Sequence, residues 1–221
     1  RGRKKGKQMV DKKTKRLLVI IRKCGESTAE TCKRLLCNQL SEKDRVIFCE
    51  DKPFYKTLIK SYEIAINLQF KWTLLIDADV LPSSIAIFEL LKEAENNNPG
   101  YLYAYVIDYL FGGPRIGGFH FYKTKVIKEI YKDLPDLSKL MRPETFCVNR
   151  IKDSNHKVIS LPLILGIHDY FQYPDDFFRK ILLFSKKNEF LMNYFRSYWK
   201  DVLKDKNINL ISDFIIKKEN K

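Results

Sequence analysis

No two of the five cysteines, Cys24, Cys32, Cys37, Cys49 and Cys147, stand in a CxxC pair, and their number is odd. That speaks against a disulfide framework and a cysteine zinc site, and predicts reduced thiols in a cytoplasmic protein. No apolar run reaches the ~18 residues of a membrane-spanning helix, and no secretory signal is legible. The first residue is Arg1, so a longer parent chain is expected. Recognition-helix, RNA-binding and zinc-finger patterns are all lacking. Histidine occurs only three times.

What is present suits one domain with a real core: 221 residues, 45% hydrophobic and 13% aromatic. The formal charge of +14 implies an anionic partner. Nucleic acid, an acidic lipid surface and a phosphorylated substrate all satisfy that condition. Nine of the basic residues fall in "RGRKKGKQMVDKKTKR", beside a single acid, so residues 1–15 are expected to form a flexible basic arm.

"RLLVIIR" (16–22) reads as a strand buried on both faces. "STAETCKRLLCNQL" follows as a helix, with Ser27 and Glu30 at the spacing of a capping box. "DRVIFCE" (44–50) is a second strand, and a helix runs from Pro53 to about Leu68. "WTLLIDAD" is the third strand, and Pro82 opens the next helix. This alternation predicts an α/β fold, a mostly parallel Rossmann-like sheet flanked by helices. Beyond it lie strands in 101–113 and around "RIGGFHFYKT", a short helix near 125–132, a helix in "PETFCVNRIKDS" and a strand in "HKVISLP". The core domain is expected over 16–174, with a helical segment over 175–221. In "NEFLMNYFRSYWKDVLK" apolar pairs from Phe190/Leu191 to Val202/Leu203 recur every four residues, an apolar stripe for the domain, a partner or an anionic membrane surface.

Ligands of open α/β sheets bind beyond the carboxyl ends of the strands. The first three strands deliver Arg22, Glu50 with Asp51, and Asp77 with Asp79 to that edge. Two carboxylates one residue apart are costly without a compensating cation. Magnesium or manganese fits, because hard divalent ions prefer oxygen ligands and keep positions open for phosphate. The plainer alternative is that Asp77 and Asp79 only start the next helix. By position alone, Arg22, Glu50 and Lys60 are candidates for the nucleotide and its phosphates, and Arg115 for an acceptor. Gly117 and Gly118 either let a substrate approach the backbone or form a tight turn.

"LLIDADVLP" resembles the DxD segment of nucleotide-sugar-dependent glycosyltransferases of the GT-A fold. "GGFHFYKTKVIKEI" (117–130) resembles the glycine-led strand and helix of family-2-like members. "PETFCVNRIKDSNHKV" (143–158) resembles their paired-acid segment, and "LILGIHDYF" places His168 after the last core strand. The resemblance spans about residues 16–170. It implies transfer of a sugar from a nucleoside-diphosphate sugar to a glycan or lipid-linked acceptor. Asp79 and His168 would be metal ligands, Asp77 would be shared between metal and ribose, and the cofactor would be Mn2+ or Mg2+. Glu144 would be the general base of an inverting transfer, and Arg150 falls on the family's Arg. Two departures stand out: Pro143 replaces the first acid, and "RKCGES" follows the first strand instead of small polar residues.

Three rivals use the same residues. One is a basic nucleic-acid-binding protein or metal-dependent nuclease, disfavoured because the basic residues cluster at the ends. Another is a sugar-nucleotide pyrophosphorylase, whose glycine-rich loop is missing after "LLVIIR", where only Gly25 appears. The third is a non-catalytic domain that kept the fold. No nucleic-acid partner is expected, and the expected location is the cytoplasm or, peripherally, the cytoplasmic membrane face.

Overall fold

The structure is a computed structural model that describes residues 15–140, 142–185, 192–204 and 208. The basic arm, bar its last residue, and the Phe190/Leu191 pair therefore lie outside the described residues.

Strand β1 (Leu17–Lys23) is the spine. Leu17 through Ile21 are all fully buried, and alternate side chains enter two different cores. Leu17, Val19 and Ile21 pack with α1 (Ala29–Cys37) and α3 (Ala86–Asn97) on one face. Leu18 and Ile20 pack with α2 (Phe54–Leu68), α4 (Thr124–Tyr131) and α5 (Pro143–Asp153) on the other. A strand buried on both sides needs a continuous apolar run, as "LLVII" supplies.

β2 (Arg45–Glu50) and β3 (Trp72–Asp77) flank β1 in parallel. β5 (Tyr101–Asp108) and β7 (Val158–His168) also pair in parallel. β6 (Pro114–Lys123) runs antiparallel between β3 and β5, and with β4 (Val80–Pro82) at the edge the sheet order is β2-β1-β3-β6-β5-β7-β4. The expected parallel pairing thus holds for β2-β1-β3 and for β5-β7, and antiparallel β6 and β4 make the whole sheet mixed.

Three local expectations change. Ser27 does not cap α1: Thr28 takes that place, and its hydroxyl donates to the Ala78 carbonyl at 2.8 Å, across to the next loop. The third strand stops at Asp77, and a three-residue strand, β4 (Val80–Pro82), follows antiparallel to the end of β7. The helix expected from Pro82 consequently starts at Ala86. Gly166 permits that close pairing, since a Cβ there would lie 2.8 Å from the Leu81 carbonyl oxygen.

After β7 the described residues form α6 (Pro174–Ser185), α7 (Met192–Ser197) and a π-helical turn (Tyr198–Leu203). Phe177, Ile181, Phe195 and Trp199 form a third apolar cluster with Leu110 and Phe111, the turn that joins β5 to β6. Tyr194 and Val202 stay exposed, so the described part of the apolar stripe buries one narrow edge.

The two neighbouring glycines of β6 differ in what they require. Gly118 has φ +73°, and a Cβ would meet Val80 Cγ2 at 2.3 Å; at Gly117 the nearest atom, from Arg115, is 3.5 Å away. Gly118→Ala is expected to lower stability by about 2 kcal/mol or more, and Gly117→Ala by under about 1 kcal/mol. Urea denaturation of both variants checks the contrast.

Candidate active site

The carboxyl ends of β3, β5 and β7, the glycine-led start of β6 and the start of α5 surround a cleft of ≈ 860 Å³. That is room for a nucleotide-sized ligand. Ala78 fixes its inner edge. It is fully buried, its N–H donates to the Arg22 carbonyl at 2.9 Å, and its carbonyl accepts the Thr28 hydroxyl. Asp77 and Asp79 on either side of this anchor join different partners.

Asp77 Oδ1 lies 2.8 Å from the Arg22 guanidinium, which also binds Glu144 through NH1 and, at 3.4 Å, NH2. Glu144 Oε2 is 3.2 Å from His120 Nε2, and His120 Nδ1 meets the Tyr101 hydroxyl at 2.7 Å. Burial opposes charge on all these groups. Arg22 nevertheless stays charged, its pKa raised because Asp77 and Glu144 outweigh the loss of solvent. Two carboxylates share one guanidinium, and the charge of Glu144 works against that of Asp77. Burial pushes Asp77 up to about 6 against the pull of Arg22, while Arg22 and His120 overcome burial at Glu144 and hold it below its ordinary value. Burial drives His120 down to about 4, so its ring is neutral at pH 7. With Glu144 ionised, the proton belongs on Nε2, and Nδ1 accepts from Tyr101.

Asp79 faces the other way. Its carbonyl accepts the Asp169 N–H at 3.1 Å, which extends the β4–β7 ladder by one bond. This brings Asp79, His168 and Asp169 together, with one ligand atom from each within 4.8 Å of the others. Asp79 Oδ1 is 3.5 Å from His168 Nε2 and is buried without a hydrogen bond. His168 Nδ1 lies 3.1 Å from Asp108 Oδ2 and 3.2 Å from Asp169 Oδ2, while Arg115 reaches Asp108 at 2.6 Å. Lys180 from α6 reaches Asp79 Oδ2 at 3.2 Å and pairs with Asp169. Burial lowers the His168 pKa, but Asp108, Asp79 and Asp169 raise it more. Burial lifts Asp169 to about 6, whereas His168 and Lys180 overcome burial at Asp79 and hold it low. Two carboxylates, one with a buried oxygen that makes no hydrogen bond, and an imidazole fit a hard divalent ion.

The structure therefore joins Arg22, Asp77 and Glu144, joins Asp79 with His168, and sets Gly117 and Gly118 in the cleft wall. Asp169, not Asp77, completes the metal-type trio. Glu50 and Lys60 are not brought to the cleft: Glu50 pairs with Lys23 at 3.0 Å, and Lys60 donates to the Glu50 carbonyl. Arg150 turns to Asp133. The sequence reasoning missed Asp108, Asp169 and Lys180. Asp108 ends β5, so the strand-end rule applied to the fourth long strand finds it; Lys180 sits in a stretch read only as helical.

No protein-family model matches the chain, and a search of curated proteins found no match. Among solved structures, the mannosyltransferase PcManGT from Pyrobaculum calidifontis, in complex with GDP-Man and Mn2+, aligns at TM-score 0.55 and 10% identity over 92% of this chain and 74% of its own. The fold is GT-A-like. S. aureus TarS 1-349 in complex with UDP-GlcNAc aligns at TM-score 0.51 and 12% identity, over 84% of this chain and 73% of that one. A GT-A-like sheet places its strand ends where β3 and β7 carry the trio.

Two variants probe the Arg22 side of this site. Arg22→Met should cost about 3–5 kcal/mol at pH 7 by leaving paired carboxylates uncompensated, and denaturation curves measure it. For His120, a folded pKa of about 4 below the ordinary 6.5 means that the unfolded chain takes the proton first. Its contribution therefore lowers stability as pH falls from 6.5 to about 4. His120→Gln should flatten that part of the stability–pH profile, and NMR of the ring should show it neutral at pH 6.

Proposed function

We propose that the chain is a metal-dependent glycosyltransferase, moving a sugar from a nucleoside-diphosphate sugar to an acceptor hydroxyl. The observation that carries this is the meeting of Asp79, His168 and Asp169 at the carboxyl edge of a GT-A-like sheet, in a nucleotide-sized cleft. Asp79, His168 and Asp169 would hold a divalent ion, which when bound would supply positive charge against the diphosphate leaving group. The imidazole among the ligands leans the choice to manganese over magnesium.

The chain's own residues divide the remaining work. Asp77, tied to Arg22, is available to a ribose hydroxyl. Gly117 and Gly118 line the donor side of the cleft. Glu144 enters the cleft ionised, as a general base must be, and proton removal from the acceptor by Glu144 gives inversion. Its pairing with Arg22 also lowers its basicity, so an acceptor hydroxyl has to displace part of that ion pair. Tyr170, Phe171 and Tyr173, all exposed directly after the trio, offer aromatic faces to an acceptor sugar or to a lipid-linked one at an anionic membrane surface. Among the described residues no helix is long and apolar enough to cross a membrane.

Incubation with a panel of nucleotide sugars and Mn2+ should release a nucleoside diphosphate with one of them. Asp79→Ala should abolish metal-dependent nucleotide binding, and Glu144→Gln should slow transfer by ~10²–10⁴-fold while nucleotide binding persists. A nuclease would release no nucleoside diphosphate from these donors. Absence of turnover, together with no nucleotide-induced thermal shift for any donor, overturns the assignment.

A further inference from the structure

One basic side chain returns from the C-terminal helices into the acid cluster. The Lys180 ammonium lies 3.2 Å from Asp79 Oδ2 and donates to Asp169 Oδ1, so it already engages two members of the trio. An ion ligated by Asp79 and Asp169 needs the oxygens that this ammonium already engages, and two cations at that separation repel, so the ammonium and the ion cannot hold the two carboxylates together.

Arg115 is paired with Asp108, outside the trio. Lys180 holds the ligand oxygens themselves. Its side chain is 18% exposed and lines the cleft, and its flexible four-carbon stem can turn the ammonium out into that space.

We propose that Lys180 is a built-in competitor for the metal: its ammonium holds the Asp79 and Asp169 carboxylates in the metal-free protein, and a divalent ion binds there by displacing it. The inference rests on the metal-site assignment above. It makes metal affinity a property of α6 as well as of the strand ends, because the apparent affinity is reduced by the fraction of molecules in which Lys180 is turned away. The displaced ammonium stays beside the cleft, where an anionic diphosphate would receive it.

Mn2+ alone, titrated calorimetrically into wild type, Lys180→Met and Asp79→Ala, tests this. Lys180→Met should bind Mn2+ about tenfold more tightly than wild type or better, corresponding to an open fraction of about one tenth, and Asp79→Ala should lose the binding. Equal affinity in wild type and Lys180→Met, with Asp79→Ala silent, overturns the competitor and leaves the metal site standing. Failure of both to bind Mn2+, or unchanged binding in Asp79→Ala, removes the metal site and the competitor with it. Lys180→Met also leaves two carboxylates without their ammonium, so a wild-type readout guards against a variant that does not fold. Acetylation of Lys180, followed by mass spectrometry, should be faster at saturating Mn2+ than without metal; equal protection overturns the proposal.

Discussion

Everything at the cleft depends on how one buried residue is pinned. Ala78 has no room to move: its N–H is bound to the β1 carbonyl of Arg22, and its carbonyl to the Thr28 hydroxyl at the start of α1. Both bonds lie in the interior, where a broken one leaves an unsatisfied group at a cost of about 1–3 kcal/mol. With the centre of the Asp-Ala-Asp segment fixed, its two carboxylates serve separate charge clusters. A free loop with the same residues would bring like charges together and find no single geometry.

The two clusters are built on opposite terms. Around Arg22 the cation is deeply buried and shared, so Asp77 and Glu144 are held by a group that cannot lose its proton. Around Asp79 the carboxylates outnumber the fixed cations, and balance needs a protonated His168 or an ion from outside. The first cluster is an internal support with a reactive edge, Glu144, open to the cleft. The second is where exchange of cations can occur. A neutral His120 between Glu144 and Tyr101 adds a hydrogen bond to the first cluster without adding charge.

Much of the architecture was legible because the local patterns are strong. The apolar run of β1, the helices α2, α4 and α5, and the strand that ends on Asp77 all lie close to where periodicity and turn residues put them. The edge strand β4 was not legible, since three residues ending in Pro82 carry no period and depend on the gap left by Gly166. The same pairing hid Asp169, which joins the trio through a backbone bond to Asp79. Lys180 was hidden for a longer-range reason. Its place in the site follows from Phe177 and Ile181 docking against Leu110 and Phe111, a tertiary contact that no local pattern encodes. Ser27 failed as a cap because α1 starts at Ala29, which puts Thr28 in the cap position, and the Thr28 hydroxyl binds a carbonyl fifty residues away.

The charge of the whole chain and the charge of the cleft point in opposite directions, and that contrast constrains the ligand. A protein of net charge +14 attracts anions over long distances. The cleft they would enter is lined by five acids, Asp77, Asp79, Asp108, Glu144 and Asp169, against four bases, Arg115, Arg142, Lys152 and Lys180. A bare diphosphate would meet carboxylates at contact distance, where repulsion exceeds any long-range attraction. The contradiction disappears when a cation stands between the acids and the anion. Lys180 and Arg115 can each provide one charge from the rim, and a divalent ion at the trio provides two at the point where the acids are densest. On the proposed reading, a divalent ion at the trio would stand between the acids and an anionic substrate, and the basic exterior would gather that anion.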